Sequence, residues 1–307
     1  MKPNIKHLVL SGGGLSCITQ IGVYKYIYEN NMLNDLENII CSSGGTLIGL
    51  NILFKKSIKV ILKDIINLFS SNFQDVIDIS FNTFKDLLDN YGLFDISLIN
   101  NIIDIIFEKN GLNSNITFKQ LYEYYPINYI VSGTNITKKK IVYFSHLTYP
   151  NMPVKIAIGI SCSIPILFTP ILYEYDYYID GCVFGCIPAQ YLIDMYKLDD
   201  VDTDNSIKED IYSSTLIISI SNHDKIISNL LQYVMYIMSL YAFSSMYDNS
   251  YSNQFRHTIY IDANIPITDL IQKKKLTRKR IKNYLDDIYY NYYITKQHFE
   301  NNTIVLK

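Results

Sequence analysis

The stretch Glu37-Asn38-Ile39-Ile40-Cys41-Ser42-Ser43-Gly44-Gly45-Thr46-Leu47-Ile48-Gly49 decides how this chain folds. Ile39, Ile40 and Cys41 read as a short buried strand, the serine–glycine run as a tight turn, and the small residues after it as the opening of a helix. A sharp strand-to-helix turn with serine at its apex lifts a hydroxyl above the end of a sheet, which is the layout of a nucleophile elbow. The plainer alternative is a serine that only caps the helix. Cys41, Ser42 and Ser43 could each stand at the apex. Such a turn wants small residues two places before and two places after the nucleophile. For Ser43 these are Cys41 and Gly45, for Ser42 they are Ile40 and Gly44, and for Cys41 they are Ile39 and Ser43. Sterics favour Ser43, because a β-branched isoleucine fits a crowded backbone badly. Cys41 stands where the G-x-S-x-G pattern has its first glycine.

Working outward, His7 to Ser11 is an apolar run stopped by Gly12-Gly13-Gly14, and Ile18, Ile21, Gly22, Tyr24, Lys25, Ile27 and Tyr28 follow at helical spacing. Strand, glycine loop, helix, strand, elbow, helix is the order of a parallel sheet covered on both faces. Residues 57–125 read as a long, mostly helical insertion without a strand of its own. Ile58, Ile61, Leu62, Ile65, Ile66 and Phe69 keep helical spacing, as do Leu98, Ile99, Ile102, Ile103, Ile106 and Phe107. These helices are expected to pack on the sheet; the alternative, less favoured, is that part of the insertion borders or lids an apolar site. Asn128 to Gly133 and Lys140 to Phe144 form two strands around the turn Thr137-Lys138-Lys139. A helix from Val154 to Ser163 is stopped by Ile164-Pro165. A strand pair, Ile171 to Glu174 and Tyr177 to Ile179, runs into Asp180-Gly181. Thr215 to Ile220 and Thr258 to Ile261 are further strands, Asp199 to Asn205 an acidic surface loop, and Thr277 to Glu300 a last helix. Ile226 to Met246 is nearly continuous in apolar residues, but Ser228, Asn229, Gln232, Ser239, Ser244 and Ser245 interrupt it. It therefore reads as an amphipathic helix, buried or facing a membrane, rather than a span. With no repeat and no linker, the chain reads as one domain over 1–307, with core motifs in 5–190, the helical insertion in 57–125 and a C-terminal strand and helix part in 207–307.

Composition narrows the function classes. Of 307 residues, 49% are hydrophobic and 18% charged, which is a globular balance. A net charge of −2 argues against whole-surface attraction to nucleic acid, so none is expected as a partner. The first residues lead directly into a strand, with no signal-peptide pattern. Five cysteines at irregular spacing (Cys17, Cys41, Cys162, Cys182 and Cys186) suggest no disulfide framework. Together these point to an intracellular setting, cytoplasmic or peripherally membrane-associated. Free cysteines usually serve as small apolar packing residues. A metal site built on Cys182 and Cys186 is the less favoured reading, and none is expected.

A serine that attacks an acyl carbon needs donors for the oxyanion and a base for its proton. Backbone amides at a helix N-terminus are the usual donors, and Gly12, Gly13 and Gly14 sit where one strand ends and one helix opens. A nucleotide-binding glycine loop is the competing reading. Gly12, Gly14 and Cys17 fall on the three glycine places of G-x-G-x-x-G, so the last glycine is missing. A P-loop is excluded, since no Gly-Lys-Ser/Thr follows. For the base, His223 after a predicted strand is the best of five histidines in a Ser-His-Asp arrangement. The other candidate is Asp180, which could take the proton directly if burial among Ile179, Cys182, Val183 and Phe184 raised its pKa. Asp180-Gly181 could equally be an ordinary hairpin turn.

Four motifs in order carry a family resemblance: Ser11-Gly12-Gly13-Gly14 with Ile21-Gly22-Val23, then Ser43-Gly44-Gly45-Thr46-Leu47-Ile48-Gly49, then Ser161-Cys162-Ser163-Ile164-Pro165, then Asp180-Gly181. Together they resemble the patatin-like phospholipases over roughly residues 5–190. The resemblance implies a three-layer α/β/α sandwich with a mainly parallel central sheet. It implies hydrolysis of acyl esters in phospholipids or neutral lipids through a Ser43–Asp180 dyad and an acyl-enzyme, with Gly12, Gly13 and Gly14 lining the oxyanion hole, Cys41 and Gly45 flanking the elbow, and no metal or other cofactor. Cys41, Ser16 with Cys17, and Cys182 depart from the family pattern. They motivate a second reading, a catalytically weak lipid-binding or membrane-associating module that keeps the fold. Lys273, Lys274, Lys275, Arg278, Lys279, Arg280 and Lys282 cluster where the last helix begins. The favoured reading is a solvated face; cations there oppose the helix dipole, and attraction to anionic lipid headgroups is the alternative that would favour them.

Overall fold

Short apolar runs with no polar alternation become the central strands, because a parallel strand under helices is buried on both faces. The computed structural model describes residues 2–71, 87, 89–221, 254–263 and 278–301. Its elements in chain order begin with β1 (His7–Leu10), a 3-10 turn (Gly14–Thr19), α1 (Gln20–Glu29), β2 (Asn38–Cys41), α2 (Gly45–Leu53) and α3 (Ile58–Ser71). The middle holds β3 (Gly92–Phe94), α4 (Ser97–Glu108), α5 (Phe118–Tyr124), β4 (Asn128–Asn135), β5 (Lys140–Phe144), α6 (Val154–Ser161), β6 (Ile166–Phe168), β7 (Ile171–Tyr173) and β8 (Asp176–Asp180). A second 3-10 turn (Gly181–Val183), α7 (Gln190–Tyr196), α8 (Asn205–Ser214), β9 (Thr215–Ser221), β10 (His257–Asp262) and α9 (Arg278–Asn301) follow.

The main sheet runs β10-β9-β1-β2-β4-β8-β7, with β5 also on β4. From β10 to β4 every pairing is parallel, while β5 and β8 pair antiparallel with β4, and β7 with β8. Alternate residues feed two cores. Val9, Ile40, Ile130 and Ile217 face Tyr191, Leu192 and Ile193 of α7 and Ile211 of α8. Leu8, Leu10, Ile39, Val131 and Ile218 face the other layer, with Ile21 of α1, Ile48 of α2 and Ile103 of α4. Two helical layers around one sheet make the expected three-layer α/β/α sandwich.

One pairing positions the site. Cys41, the last residue of β2, lies opposite Val131 of β4, and Asp180, the last residue of β8, lies opposite Gly133. β5 takes the other edge of β4 over Val131–Asn135. So β2 and β8 share one edge of β4, run in opposite directions, and end about two residue rises apart, roughly 7 Å.

Three details differ from the sequence expectations. The 57–125 insertion does contain a strand, β3, which pairs parallel with β6 in a small separate sheet. Each is three residues long, too short for alternation to register. Also, α7 and α8 carry too few apolar residues in a regular stripe to stand out, and the helix after the glycine loop opens as a 3-10 turn. The Ile226–Met246 stretch, His223 and Lys273–Lys275 lie outside the described residues. Among the described residues, no helix is long and apolar enough to cross a membrane.

The last helix, α9, packs along α1 at Gly22. A Cβ there would collide with the Ile288 carbonyl and stand 2.9 Å from the Tyr292 amide nitrogen. Backbone cannot yield as a side-chain tip can. Gly22→Ala is expected to destabilise the fold by about 1–3 kcal/mol through this contact, read as a lower urea midpoint. An unchanged midpoint would show that α9 does not seat on Gly22.

Candidate active site

The chain leaves β2 at Cys41 and enters α2 at Gly45, and Ser43 sits between them with φ 48°. That left-handed conformation costs a residue with a Cβ about 1–2 kcal/mol, so the surroundings must hold it. Four bonds brace the turn. Ser42 N–H donates to Leu10 O at 3.1 Å, Gly45 N–H to Ser42 O at 2.9 Å, Thr46 N–H to Ser43 O at 2.9 Å, and Ser43 N–H to Ser161 Oγ at 2.8 Å. The smallness of the flanking residues has identifiable causes. A Cβ on Gly45 would stand 2.6 Å from Ser11 O, and one on Gly49 would stand 2.5 Å from Cys41 Sγ. The residue that makes room for Cys41 is therefore Gly49, one turn after Gly45. Gly45 itself is needed for the close approach to the end of β1.

The three apex candidates are now distinguishable. Cys41 is fully buried against α2, and burial pushes its thiol well above the usual range. Ser42 Oγ lies 3.6 Å from Cys182 Sγ. Ser43 Oγ donates to Asp180 Oδ2 at 2.7 Å, across 137 positions of sequence. Asp180 Oδ1 accepts the Cys182 N–H at 2.8 Å, and its own backbone N–H donates to Ser163 O at 3.0 Å. Ser43 and Asp180 are 3% and 2% exposed. Burial raises the Asp180 pKa to about 7, against the opposing pull of the bonds from Ser43 and Cys182.

The histidines go elsewhere. His7 accepts from Asn38, and His146 donates to Asn128, in a buried chain at the start of the strands, away from the elbow. His257 and His298 contact each other and Phe299 beside α9. His223 falls among the residues not described.

The glycine loop needs one correction. The Gly12 amide donates to Cys186 O at 3.1 Å, so it is already occupied and cannot serve an oxyanion. Among the described residues, no acceptor faces the amides of Gly13, Gly14 or Gly44. Gly14 and Gly44 lie back to back, since a Cβ on Gly44 would strike Gly14 O. Both belong to helix N-termini, where unpaired amides favour negative charge. Gly44 was not singled out from the sequence as a donor, although its place directly after the candidate apex Ser43 was the available signal.

Cys182 and Cys186 are joined by a disulfide, a single pair that the irregular cysteine spacing did not announce. Cys17, Cys41 and Cys162 are free and buried, in keeping with apolar packing. Among the described residues, no cluster of three or more His, Cys, Asp or Glu could hold a metal. Of the basic group at the last helix, Arg280 and Lys282 are the members whose side chains are described, the first partly buried and the second exposed.

An apolar cavity of about 120 Å³ opens beside Ser43. Gly44, Leu47, Ile48 and Asn51 of α2 form one wall, and Ser43, Leu47 and Asn51 recur every four residues, so that wall runs about 12 Å along the helix. Cys17 and Ile18 line a second side. The insertion supplies a third through Ile61 of α3 and Ile99, Ile102 and Ile106 of α4, and so borders this cavity, which was the less favoured of the two sequence readings.

Known proteins share this layout. The family model for patatin-like phospholipases matches residues 8–193. The chain is 30% identical over 197 residues to "Probable lipid hydrolase 463L" of Invertebrate iridescent virus 6, covering 63% of this chain and 65% of that protein. It is 29% identical over 178 residues to "Uncharacterized protein R571" of Acanthamoeba polyphaga mimivirus, covering 58% of each. The match thus spans less than two thirds of either curated relative. The crystal structure of VipD from Legionella pneumophila shares the fold, with TM-score 0.56 and 16% identity over 96% of this chain and 67% of that one. With its glycine loop, elbow and Asp-Gly strand end all inside the matched region, the chain belongs to the patatin-like phospholipase family.

Proposed function

We propose that this chain hydrolyses fatty acyl esters of lipids, as a phospholipase A or related esterase, through Ser43 and Asp180. The observation that carries the proposal is the 2.7 Å bond from Ser43 Oγ to the buried Asp180 carboxylate. A carboxylate with its pKa near 7 is a far better base than one in water. Ser43 attacks the ester carbonyl as Asp180 takes its proton. The developing oxyanion is received by the amides of Gly13, Gly14 and Gly44. Asp180 returns the proton to the departing alcohol, which leaves an acyl group on Ser43. Water then gives a proton to Asp180 and attacks the acyl-enzyme, and as the bond to Ser43 Oγ breaks Asp180 passes that proton to the departing serine oxygen, which releases the fatty acid and restores the pair.

The apolar cavity suits the acyl chain, and its start at Ser43 aligns the ester with the hydroxyl. A lipid substrate lies in a membrane or micelle, so peripheral contact with a lipid surface belongs to the proposal. A lipid-binding module without turnover rested on Cys41, Cys17 and Cys182. Cys41 fits the space left by Gly49, Cys17 lies in the cavity wall, and the Cys182 amide braces Asp180. None of the three weakens the Ser43–Asp180 contact, so turnover is the favoured reading.

Ser43→Ala and Asp180→Asn are each expected to lower hydrolysis of a chromogenic acyl ester by roughly 10³-fold or more. A fluorophosphonate probe should label wild type and leave Ser43→Ala unlabelled. Full activity in Ser43→Ala would sink the assignment. Because the base must be ionised, kcat/KM should fall about tenfold per pH unit below about 7 and level off above it. A flat profile between pH 5 and 8 would remove Asp180 from the role. Finally, Ile102→Phe, which narrows the cavity, should lower kcat/KM for long-chain esters about tenfold while leaving acetyl ester hydrolysis within about twofold. Equal losses on both esters would place the acyl chain elsewhere.

A further inference from the structure

The Ser161-Cys162-Ser163 segment has no part in the mechanism above, yet it touches both reacting residues. It lies where α6 ends. The Ser161 hydroxyl, fully buried, accepts the Ser43 N–H at 2.8 Å. Two residues on, the Ser163 carbonyl accepts the Asp180 N–H at 3.0 Å. Between them, Cys162 Sγ lies 3.6 Å from Thr46 Oγ1 in the first turn of α2, and Thr46 Oγ1 in turn donates to Ser43 O at 2.6 Å. The segment itself is held. Cys162 N–H donates to Ile158 O at 2.9 Å, and Ser163 donates to Ile160 O through both its amide (3.1 Å) and its hydroxyl (2.7 Å). Three consecutive residues on one rigid helix end therefore connect the nucleophile's backbone, the helix behind it and the aspartate's backbone.

The chemistry asks for such a part. Ser43 sits in a left-handed conformation that a residue with a Cβ does not choose unaided. Its amide points into the protein, where an unpaired donor is costly. Of the residues in reach, Ser161 supplies the acceptor, and only a small hydroxyl side chain on the last turn of α6 does so without filling the elbow. This use of the Ser43 amide also commits it to structure, so the oxyanion is left to other donors.

Resting on the reading of Ser43 and Asp180 as the reacting pair, we propose that Ser161 is a positioning residue, whose hydroxyl fixes the Ser43 backbone so that the Ser43 Oγ meets Asp180. Together with the Ser163 carbonyl it sets the separation of the pair from one helix end. Without the Ser161 oxygen, the turn relaxes and the Ser43–Asp180 bond loosens. Displacements of that kind lower rate far more than binding.

The test compares wild type, Ser43→Ala, Ser161→Ala, Ser161→Cys and Ser161→Thr on one soluble acyl ester across pH. Alanine removes the acceptor, cysteine leaves a poor one, and threonine keeps the oxygen. Ser161→Ala and Ser161→Cys should each lower kcat about ten- to a hundredfold with KM within about twofold, and slow fluorophosphonate labelling of Ser43 by the same factor. Their acid limb should move to higher pH, because the Ser43 bond that holds the Asp180 pKa down is weakened. Ser161→Thr should recover most of the rate. A kcat within about twofold of wild type in either acceptor-poor variant overturns the proposal. So does a fall in kcat that leaves the acid limb in place, which is the mark of a merely structural residue. Wild type no more active than Ser43→Ala would instead overturn the dyad, and the role of Ser161 with it.

Discussion

One edge of β4 is shared by two strands that run toward each other. β2 takes its first half in parallel and β8 its last three residues in antiparallel, so the C-terminal ends of both strands meet over the middle of β4. Strand ends are where side chains leave the plane of a sheet and become available to a site. Here the meeting of two ends places Ser43, just past one, against Asp180, the last residue of the other. A shift of β8 by one residue would turn the Asp180 side chain to the opposite face of the sheet. The register of three residue pairs thus sets the Ser43–Asp180 contact, and β5 on the other edge of β4 and β7 on β8 flank it.

That placement is electrostatically costly. A carboxylate 2% exposed loses hydration, and two donors, the Ser43 hydroxyl and the Cys182 amide, return only part of it. The unrecovered part is what raises the pKa toward neutrality. The same crowding explains the glycines around the site. A side chain at Gly44, Gly45 or Gly181 would meet backbone or side-chain oxygens of the neighbouring turn.

The insertion between α2 and β4 gives the site its apolar side. Ile99, Ile102 and Ile106 lie on one face of α4, three or four residues apart, and line the same cavity as Leu47 and Ile48 of α2 and Cys17 and Ile18 of the first 3-10 turn. Helices whose stripe would otherwise rest on the sheet leave a gap there beside Ser43. Packing and cavity formation use the same residues, which is why the sequence pattern alone fits both.

The strands, the elbow and the three-layer architecture were legible in the sequence because each rests on local chemistry. Apolar runs of four to seven residues bury on two faces, glycines stop them, and β-branched Ile39 and Ile40 fit poorly two places before an apex, which favours Ser43 over Cys41 and Ser42. Asp180 stood out as a strand-end carboxylate among apolar residues, but a hairpin turn explained it equally well until β4 was seen to pair with both β2 and β8. Which amides remain free is likewise a tertiary fact. The Gly12 amide is consumed by Cys186, 174 positions later, and nothing near Gly12 announces it. The pairing of the short strands β3 and β6 and the grip of Ser161 on Ser43 both depend on partners distant in the chain. Sequence determined what each segment is, through the periodicity and size of adjacent residues. Tertiary structure decided which segments touch, because a hydrogen bond between residues 118 or 137 positions apart leaves no trace in the spacing of either one.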